Sequence, residues 1–395
     1  MFLTKEEESI LNGEKGNAER KSMEILVALG KIYGAEKLIP VGSVQVAGVS
    51  YHNLGDAGLE YLSELSKDGK VKVLTTLNPA GMDMNNWKSL GIPEDFAKKQ
   101  IMVIDAFEKM GILTNCTCTP YLIGNLPRFG EHIAWAESSA VAFANGVIGA
   151  RTNREGGPSA LAAAIIGKTP AYGLHLDKNR LPTITVKVET AIKTMPDFGA
   201  LGYVIGKKAQ RQIPYILGIK EASIDLLKTF GASAVTYGMK PMYYMEGITP
   251  EKADAPIETL TITSEDIKSA FNEINDDTDE IDFVFLGCPH ASIKEIAEIA
   301  KQIEGRKVKS ETWIGLSRTV KQLSDERGYT KIIEDSGIKF ACDTCVAVAP
   351  LKGRFKSVAT TSAKACFYSR GHNAMKTKIG TINQCIDAAV SGKWN

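Results

Sequence analysis

The sequence predicts an α/β protein made of repeated strand–loop–helix units, and three observations carry that prediction. Strand-like runs such as 70–78 and Asp282-Phe-Val-Phe-Leu286 stop at turn-forming residues, Asn78-Pro79-Ala-Gly81 and Gly287-Cys-Pro-His290. Segments of helical spacing follow them, near 94–110 and 291–304. At 395 residues the chain is also too long for one core, which predicts two or three domains. In units of this kind the loops at the C-terminal ends of the strands are where ligands bind.

Taken in order, residues 4–34 alternate charged and apolar positions at helical spacing. Thr4 and Glu7 read as a capping box opening that helix, and Gly30 and Gly34 stand near its stop. Residues 37–50 are strand-like and end in Val46-Ala-Gly-Val-Ser50. A second strand covers 70–78, and a helix over 94–110 leads into Cys116 and Cys118. Residues 131–146 read as an apolar helix running into Gly149-Ala-Arg-Thr-Asn-Arg-Glu-Gly-Gly157. From 176 to 255 strands mix with Gly-rich turns, as in an inserted or second subdomain. From about 257 the α/β alternation resumes. Its acidic run Asn275-Asp-Asp-Thr-Asp-Glu280 reads as a solvated loop. Strands are expected at 282–286, 312–317, 338–348 and 357–360, with helices over 291–304 and 318–328. The expected divisions are therefore 1–175, carrying Cys118 and substrate loops; 176–256; and 257–395, carrying Cys288 and Cys345. No internal repeat or low-complexity tract interrupts this pattern.

Composition excludes several function classes. Lys plus Arg total 47 against 46 for Asp plus Glu, so there is no global field for nucleic acid or a membrane surface. Met1-Phe-Leu-Thr-Lys-Glu-Glu-Glu8 lacks the basic and apolar regions of a signal peptide. No run approaches the roughly 20 apolar residues of a membrane span, and a cytoplasmic location is expected. Seven cysteines without a secretion signal argue against a disulfide framework. Cys366 and Cys385 sit in helix-like, apolar contexts and read as buried small hydrophobes.

Three other cysteines lie in turns: Cys118 in Asn115-Cys-Thr-Cys-Thr-Pro120, Cys288 in Leu286-Gly-Cys-Pro-His290, and Cys345 in Cys342-Asp-Thr-Cys345. Turns at strand ends direct a thiolate into a cleft rather than into packing. Three converging thiolates would hold three irons of a [4Fe–4S] cluster and leave the fourth open as a Lewis acid, the chemistry of a hydro-lyase. Around them stand polar groups in otherwise apolar segments: Asn78-Pro79, Glu137-Ser138-Ser139, Asn153-Arg154-Glu155 and Thr361-Ser-Ala-Lys364. Singly these read as a turn former, a helix surface charge or a solvated lysine; together, beside strand ends, they predict a polar active site. Of the histidines, only His290 lies close to a turn cysteine, where it could donate to a cluster sulfur or bond backbone.

Other motifs are decoys. Ala162-Ala-Ala-Ile-Ile-Gly-Lys-Thr169 has Ala162 where a phosphate loop needs glycine, and its Ala/Ile run prefers helix. Gly199-Ala-Leu-Gly-Tyr-Val-Ile-Gly206 lacks the dinucleotide spacing. Cys342-Asp-Thr-Cys345 has no second CxxC or histidine pair to close a zinc site.

At these residues, and along nearly its whole length, the sequence resembles the large subunit of the aconitase X family, a branch of the aconitase superfamily. The likeness rests on Val46-Ala-Gly-Val-Ser50 with Gly55-Asp-Ala-Gly58, Leu77-Asn-Pro-Ala-Gly81 and Cys118-Thr-Pro-Tyr121. It continues through Trp135-Ala-Glu-Ser-Ser139, Gly149 to Gly157, Gly287-Cys-Pro-His290, Asp343-Thr-Cys345 and Thr361-Ser-Ala-Lys364. The resemblance implies an aconitase-like three-domain α/β core without the swivelling fourth domain, which would be a separate small partner subunit in a heterodimer or higher assembly. It implies a [4Fe–4S] cluster on Cys118, Cys288 and Cys345, and substrate contacts from Gly48, Val49, Ser50, Asn78, Pro79, Glu137, Ser138 and Lys364.

The implied reaction is dehydration of a small hydroxy acid. The phosphorylated (R)-5-phosphomevalonate is expected ahead of cis-3-hydroxy-L-proline, and the general base is expected from the partner's serine. Lys364 and Arg154 are candidates to meet carboxylate or phosphate. The backbone N–H groups of Gly48 to Ser50 are candidates to cradle an oxyanion. A different class, an iron–sulfur electron carrier or redox protein, would usually supply four protein ligands rather than three.

Overall fold

A computed structural model describes residues 1–395 and contains three parallel sheets, each flanked by helices. The first unit contains β1 (Leu38–Pro40), β2 (Ser43–Val46), β3 (Leu74–Leu77), β4 (Leu113–Cys116), β5 (Ala134–Trp135) and β6 (Lys168–Pro170). Four of these form a parallel sheet of order β4-β3-β2-β5, while β1 and β6 pair antiparallel beside it. The second unit is a parallel sheet of β7 (Ile184–Val188), β8 (Pro214–Leu217), β9 (Tyr244–Met245) and β10 (Thr259–Ile262), in the order β10-β7-β8-β9. The third unit holds β11 (Phe283–Leu286), β12 (Glu311–Leu316), β13 (Lys339–Cys342), β14 (Ser357–Thr360) and β15 (Lys376–Ile379), in the parallel order β13-β12-β11-β14-β15.

The central strand β11 shows why apolar runs make this architecture. All four of its residues are buried. Val284 and Leu286 pack into the core under one set of helices, and Phe283 and Phe285 into a separate core with Trp313 on the opposite face. A strand covered on both faces needs no polar alternation, and its side chains part with a period of two.

Several expected elements change shape. Residues 4–34 form two helices, Lys5–Leu11 and Asn17–Ile32, because Gly13 and Gly16 adopt φ of 88° and 108°. The expected apolar helix over 131–146 begins instead as β5, paired with β2, and turns helical only at Ser138–Phe143 before a wider π turn over Ala144–Ile148. A short apolar run has no period that separates strand from helix, and here tertiary pairing decides. The strand expected over 338–348 stops at Cys342, where Asp343 takes φ of 61°. Thr259–Ile262 joins the second sheet through β7, so that unit extends beyond residue 256 into the helix Ser264–Ile274. The Ala162–Ile166 stretch of the phosphate-loop decoy is helical, within Gly157–Ile166. No helix is long and apolar enough to cross a membrane.

The first and third sheets meet end to end. The amide of Ala80 donates to the carbonyl of Asp343 at 2.7 Å, and the Ser50 hydroxyl to the carbonyl of Val348 at 3.0 Å. This contact brings the C-terminal ends of β2, β3, β4 and β5 against those of β11, β13 and β14.

Candidate active site

Those strand ends enclose a cleft of about 190 Å3, lined by Cys118, Cys288 and Cys345 together with Gly48, Asn78, Pro79, Glu137, Ser138, Arg154 and Lys364. Each side chain arrives by a simple route. Asn78 and Pro79 follow β3, Cys118 follows β4, Glu137 and Ser138 follow β5, Cys288 follows β11, Cys345 follows β13, and Lys364 opens the helix after β14. At the Cys288 turn, Gly287 has φ of 85°, and a Cβ there would lie 2.1 Å from the Gly315 carbonyl oxygen. Only glycine permits this approach.

Val49 and Ser50 do not line the cleft with their side chains. Val49 is buried in the core of the first unit, and the Ser50 hydroxyl caps the helix Tyr51–Leu65. The backbone N–H groups of Gly48, Val49 and Ser50 donate to no protein acceptor, and Gly48 sits at φ of 77°. Successive N–H groups without an internal acceptor, beside a left-handed residue, are the candidate donors of an anion-binding nest.

A buried ion pair crosses the cleft from the first unit to the third. The Lys364 ammonium donates to the Glu137 carboxylate and lies 3.4 Å from each of the Ser138 and Ser139 hydroxyls. Glu137 also accepts from the Ser139 amide at 3.2 Å and from the Asn78 amide nitrogen at 2.9 Å. Burial alone would push the Glu137 carboxyl up, but the Lys364 charge and these hydrogen bonds pull it down to about 2. The same carboxylate holds Lys364 above the usual lysine range against the opposing effect of burial. Glu137 is therefore an ionised, fully engaged carboxylate. Asn78 keeps its side-chain oxygen buried without a partner, an acceptor left for a ligand hydroxyl or amine.

The three thiols that line the cleft are held protonated by burial. Burial raises Cys118 well above the usual thiol range, raises Cys288, and pushes Cys345 to about 12, with the Cys288 charge adding to that rise. A cationic metal would reverse that balance and bind them as thiolates. No three His, Cys, Asp or Glu side chains meet around one point as ligands of a single ion would. Three thiols lining one cleft are a soft donor set, the kind that iron–sulfur groups take. The remaining cysteines, Cys116, Cys342, Cys366 and Cys385, are buried outside the lining, and all seven are free.

His290 ties the three cysteine loops together. Its Nε2 faces the Thr344 carbonyl at 2.9 Å and must donate, so Nδ1 accepts from the Thr117 hydroxyl at 2.9 Å. Its backbone N–H donates to Cys118 Sγ at 3.1 Å, and its carbonyl accepts from Lys228 at 3.0 Å. The ring is fully buried, which drives its pKa down to about 4 and keeps it neutral. The group that touches a cysteine sulfur is thus the His290 amide rather than its imidazole.

Sequence reasoning missed Asn53, Tyr368 and His372 in the lining. Tyr368 and His372 follow Lys364 at four-residue steps on one helix, a spacing that places them on the same face. Thr117 and Thr344 adjoin cysteines in sequence, but nothing in their spacing signals that one histidine joins them.

Comparisons with known proteins bear on the whole chain. Models of the first, second and third domains of aconitase X match residues 1–178, 182–272 and 281–391. The phosphomevalonate dehydratase large subunit of Methanocaldococcus jannaschii is 49% identical, over 98% of this chain and 99% of that protein. The large subunit of the same name from Thermococcus kodakarensis is 50% identical, over 94% and 95%. A more distant cis-3-hydroxy-L-proline dehydratase from Pseudomonas aeruginosa is 32% identical, and the chain covers 70% of it. The crystal structure of holo-form aconitase X from Thermococcus kodakaraensis superposes with a TM-score of 0.92 at 47% identity, covering 98% of this chain and 100% of that one.

Proposed function

This chain belongs to the aconitase X family, and we propose that it is the large subunit of a phosphomevalonate dehydratase, which converts (R)-5-phosphomevalonate to trans-anhydromevalonate 5-phosphate. The observation that carries the chemistry is one cleft in which three thiols face a neutralised Lys364–Glu137 pair and an unpartnered Asn78 oxygen. The substrate follows from end-to-end likeness to phosphomevalonate dehydratase large subunits, whereas the hydroxyproline dehydratase is more distant and longer.

The residues fit a [4Fe–4S] cluster, held by Cys118, Cys288 and Cys345. When bound, that cluster supplies a Lewis-acidic iron lacking a protein ligand, suited to ease the departure of hydroxide. The rest of the chemistry belongs to the chain and its partner. Dehydration removes a proton from the carbon beside the carboxylate and hydroxide from the next carbon, so a base and a charge-stabilising frame are needed. Glu137 is a poor base, because its carboxylate is held ionised by Lys364 and spends its acceptors on Asn78, Ser138 and Ser139. Its work is to keep Lys364 charged and fixed, with that ammonium beside the Ser138 hydroxyl to meet the substrate carboxylate. The Asn78 oxygen accepts a hydrogen bond from the substrate hydroxyl and orients it. The nest at Gly48 to Ser50 takes a terminal oxyanion.

The base comes from a small, swivelling partner subunit that closes the cleft, in a cytoplasmic assembly whose thiols stay reduced. Anaerobic purification with that partner, followed by mass spectrometry after incubation with (R)-5-phosphomevalonate, tests the reading. Loss of one water from the phosphorylated acid, with cis-3-hydroxy-L-proline unchanged in parallel, is expected. Turnover of hydroxyproline alone would overturn the substrate assignment.

A further inference from the structure

We propose that Arg154 is the specificity-determining residue for this substrate, recognising its phosphoryl group together with the free N–H groups of the Gly48 nest. The inference rests on the dehydratase reading above. Among the lining side chains the charged groups are Glu137, Lys364 and Arg154, with His372 and the three thiols as further titratable neighbours and Tyr368 beside them. Lys364 is buried and neutralised by Glu137, so it adds almost no net field for a second anionic group. Arg154 is the cation that remains. It is exposed, and it makes no ion pair, hydrogen bond or cation–π contact within the chain.

The backbone that presents Arg154 is locked on both sides. Asn153, buried, donates to the Tyr172 carbonyl at 3.0 Å and accepts from the Leu174 amide at 2.8 Å. Glu155, also buried, donates its amide to the Trp135 carbonyl at 3.0 Å and binds the Ser159 hydroxyl at 2.6 Å through its side chain. The two pinned, buried neighbours fix the backbone from which the guanidinium is presented. The same loop passes against the nest. A Cβ on Gly157 would lie 2.5 Å from the Ala47 carbonyl oxygen, so the two backbones run in contact. Arg154 and Gly48 thus line the same cleft from two loops whose backbones touch.

The Arg154 side of the cleft suits a phosphoryl group for a geometric reason. In phosphomevalonate the phosphoryl group hangs from the end of the chain opposite the carboxylate, beyond the carbon that loses hydroxide. With the hydroxyl directed to the cysteine wall and the carboxylate to Lys364, the phosphoryl group must reach the open side. A guanidinium offers paired donors matched to two phosphate oxygens, and backbone N–H groups complete a dianion site. A hydroxyproline brings nothing to that side, where the arginine would gain no partner.

The test uses the assembled two-subunit holoenzyme and compares wild type with Arg154→Gln and Arg154→Lys. With (R)-5-phosphomevalonate, Arg154→Gln is expected to lower kcat/KM by roughly 10- to 100-fold, mainly through KM, as loss of one charged hydrogen-bonded contact implies. Arg154→Lys should recover part of that loss. Inorganic phosphate should inhibit wild type competitively and inhibit Arg154→Gln much less, while inhibition by unphosphorylated mevalonate stays within about threefold. Equal loss of affinity for mevalonate and phosphomevalonate, or undiminished phosphate inhibition in Arg154→Gln, would overturn the inference. Absence of turnover of phosphomevalonate by wild type would instead sink the dehydratase reading. Calorimetry with inorganic phosphate then decides on Arg154 alone: binding lost in Arg154→Gln supports the anion site, and binding that survives refutes it.

Discussion

Replacing His290 by phenylalanine should loosen all three cysteine loops at once while keeping a ring of similar size in place. The substitution leaves the His290 amide free to donate to Cys118 as before, and removes only the imidazole nitrogens. The Thr344 carbonyl next to Cys345 then loses its partner, while the Thr117 hydroxyl next to Cys118 loses one and keeps Thr119 at 3.1 Å. A buried polar group left unpaired costs about 1–3 kcal/mol, and the stranded Thr344 carbonyl sets the loss at about that size. Against a typical domain stability of about 5–15 kcal/mol, that is enough to loosen the cradle without abolishing the fold. The assay is iron and acid-labile sulfide per chain after anaerobic purification, read beside the thermal midpoint by circular dichroism. His290→Phe should lower both, and His290→Gln, whose amide still offers a donor and an acceptor, should fall between. His290→Phe with wild-type iron content and an unchanged midpoint would refute the staple.

Cys118→Ser, Cys288→Ser and Cys345→Ser should each abolish iron retention, and Cys366→Ser should not; equal loss with Cys366→Ser, a residue buried outside the cleft, would undo the ligand assignment. Glu137→Gln strands the buried Lys364 ammonium and should cost about 3–5 kcal/mol along with most of the activity. The double variant Glu137→Gln/Lys364→Met should regain stability but not turnover, and regained turnover would show that the pair is structural only. His175 is buried beside His132, and burial first, then the charges of His132, Arg180 and Arg151, drive its pKa to about 3; Asp177 pairs with Arg151 nearby. Its folded pKa lies below the unfolded value of about 6.5, so the stability it contributes is present at pH 7 and fades as pH falls below 6.5. At pH 5 the loss is about 2 kcal/mol. Urea titrations of the assembled enzyme at pH 7 and 5 should show this loss in wild type and much less in His175→Gln; equal losses would refute it.

The parallel α/β character and the strand-end positions of the cysteines were legible because they depend on local signals. Asn78-Pro79 and Gly287 mark turns whatever the tertiary context, and Phe283 to Leu286 form a buried strand by composition alone. The short strand Ala134–Trp135 was not legible, because two apolar residues carry no period and only pairing with β2 fixes them. Nor was the return of Thr259–Ile262 to the second sheet, which is a choice of partner rather than of conformation. At the site, residue types announced the cleft, but partnerships did not. Lys364 reads from its segment as a ligand for substrate anions, and only the fold shows that Glu137, more than two hundred positions away in sequence, holds its ammonium in place. The Ser50 hydroxyl is spent on a helix cap and on Val348, which leaves its backbone N–H as the group open to a ligand. Long-range pairing decides which polar groups stay free for chemistry, and no local pattern encodes it.

The second unit gives the clearest case of such action at a distance, since none of its residues lines the cleft. Its helix Ile224–Thr236 nevertheless reaches both walls. Lys228, almost wholly buried, holds the His290 carbonyl at 3.0 Å while its charge is met by Glu295 and, at 3.4 Å, by Asp225. Glu295 in turn accepts from the Ser292 amide at 2.9 Å, which fixes the turn just after His290. At the C-terminal end of that helix, the Tyr237 hydroxyl donates to the Ala363 carbonyl at 3.0 Å, one residue before Lys364. A buried ion pair is seldom the most stable filling for a core, because desolvation offsets most of the attraction. What it supplies is direction: the ammonium must face the His290 carbonyl and the carboxylate must face Ser292, or both charges are left uncompensated. The Cys288 turn and the root of Lys364 are thus held by one helix that touches neither thiol nor substrate. The second unit works as the brace that keeps cysteine wall and ammonium in register.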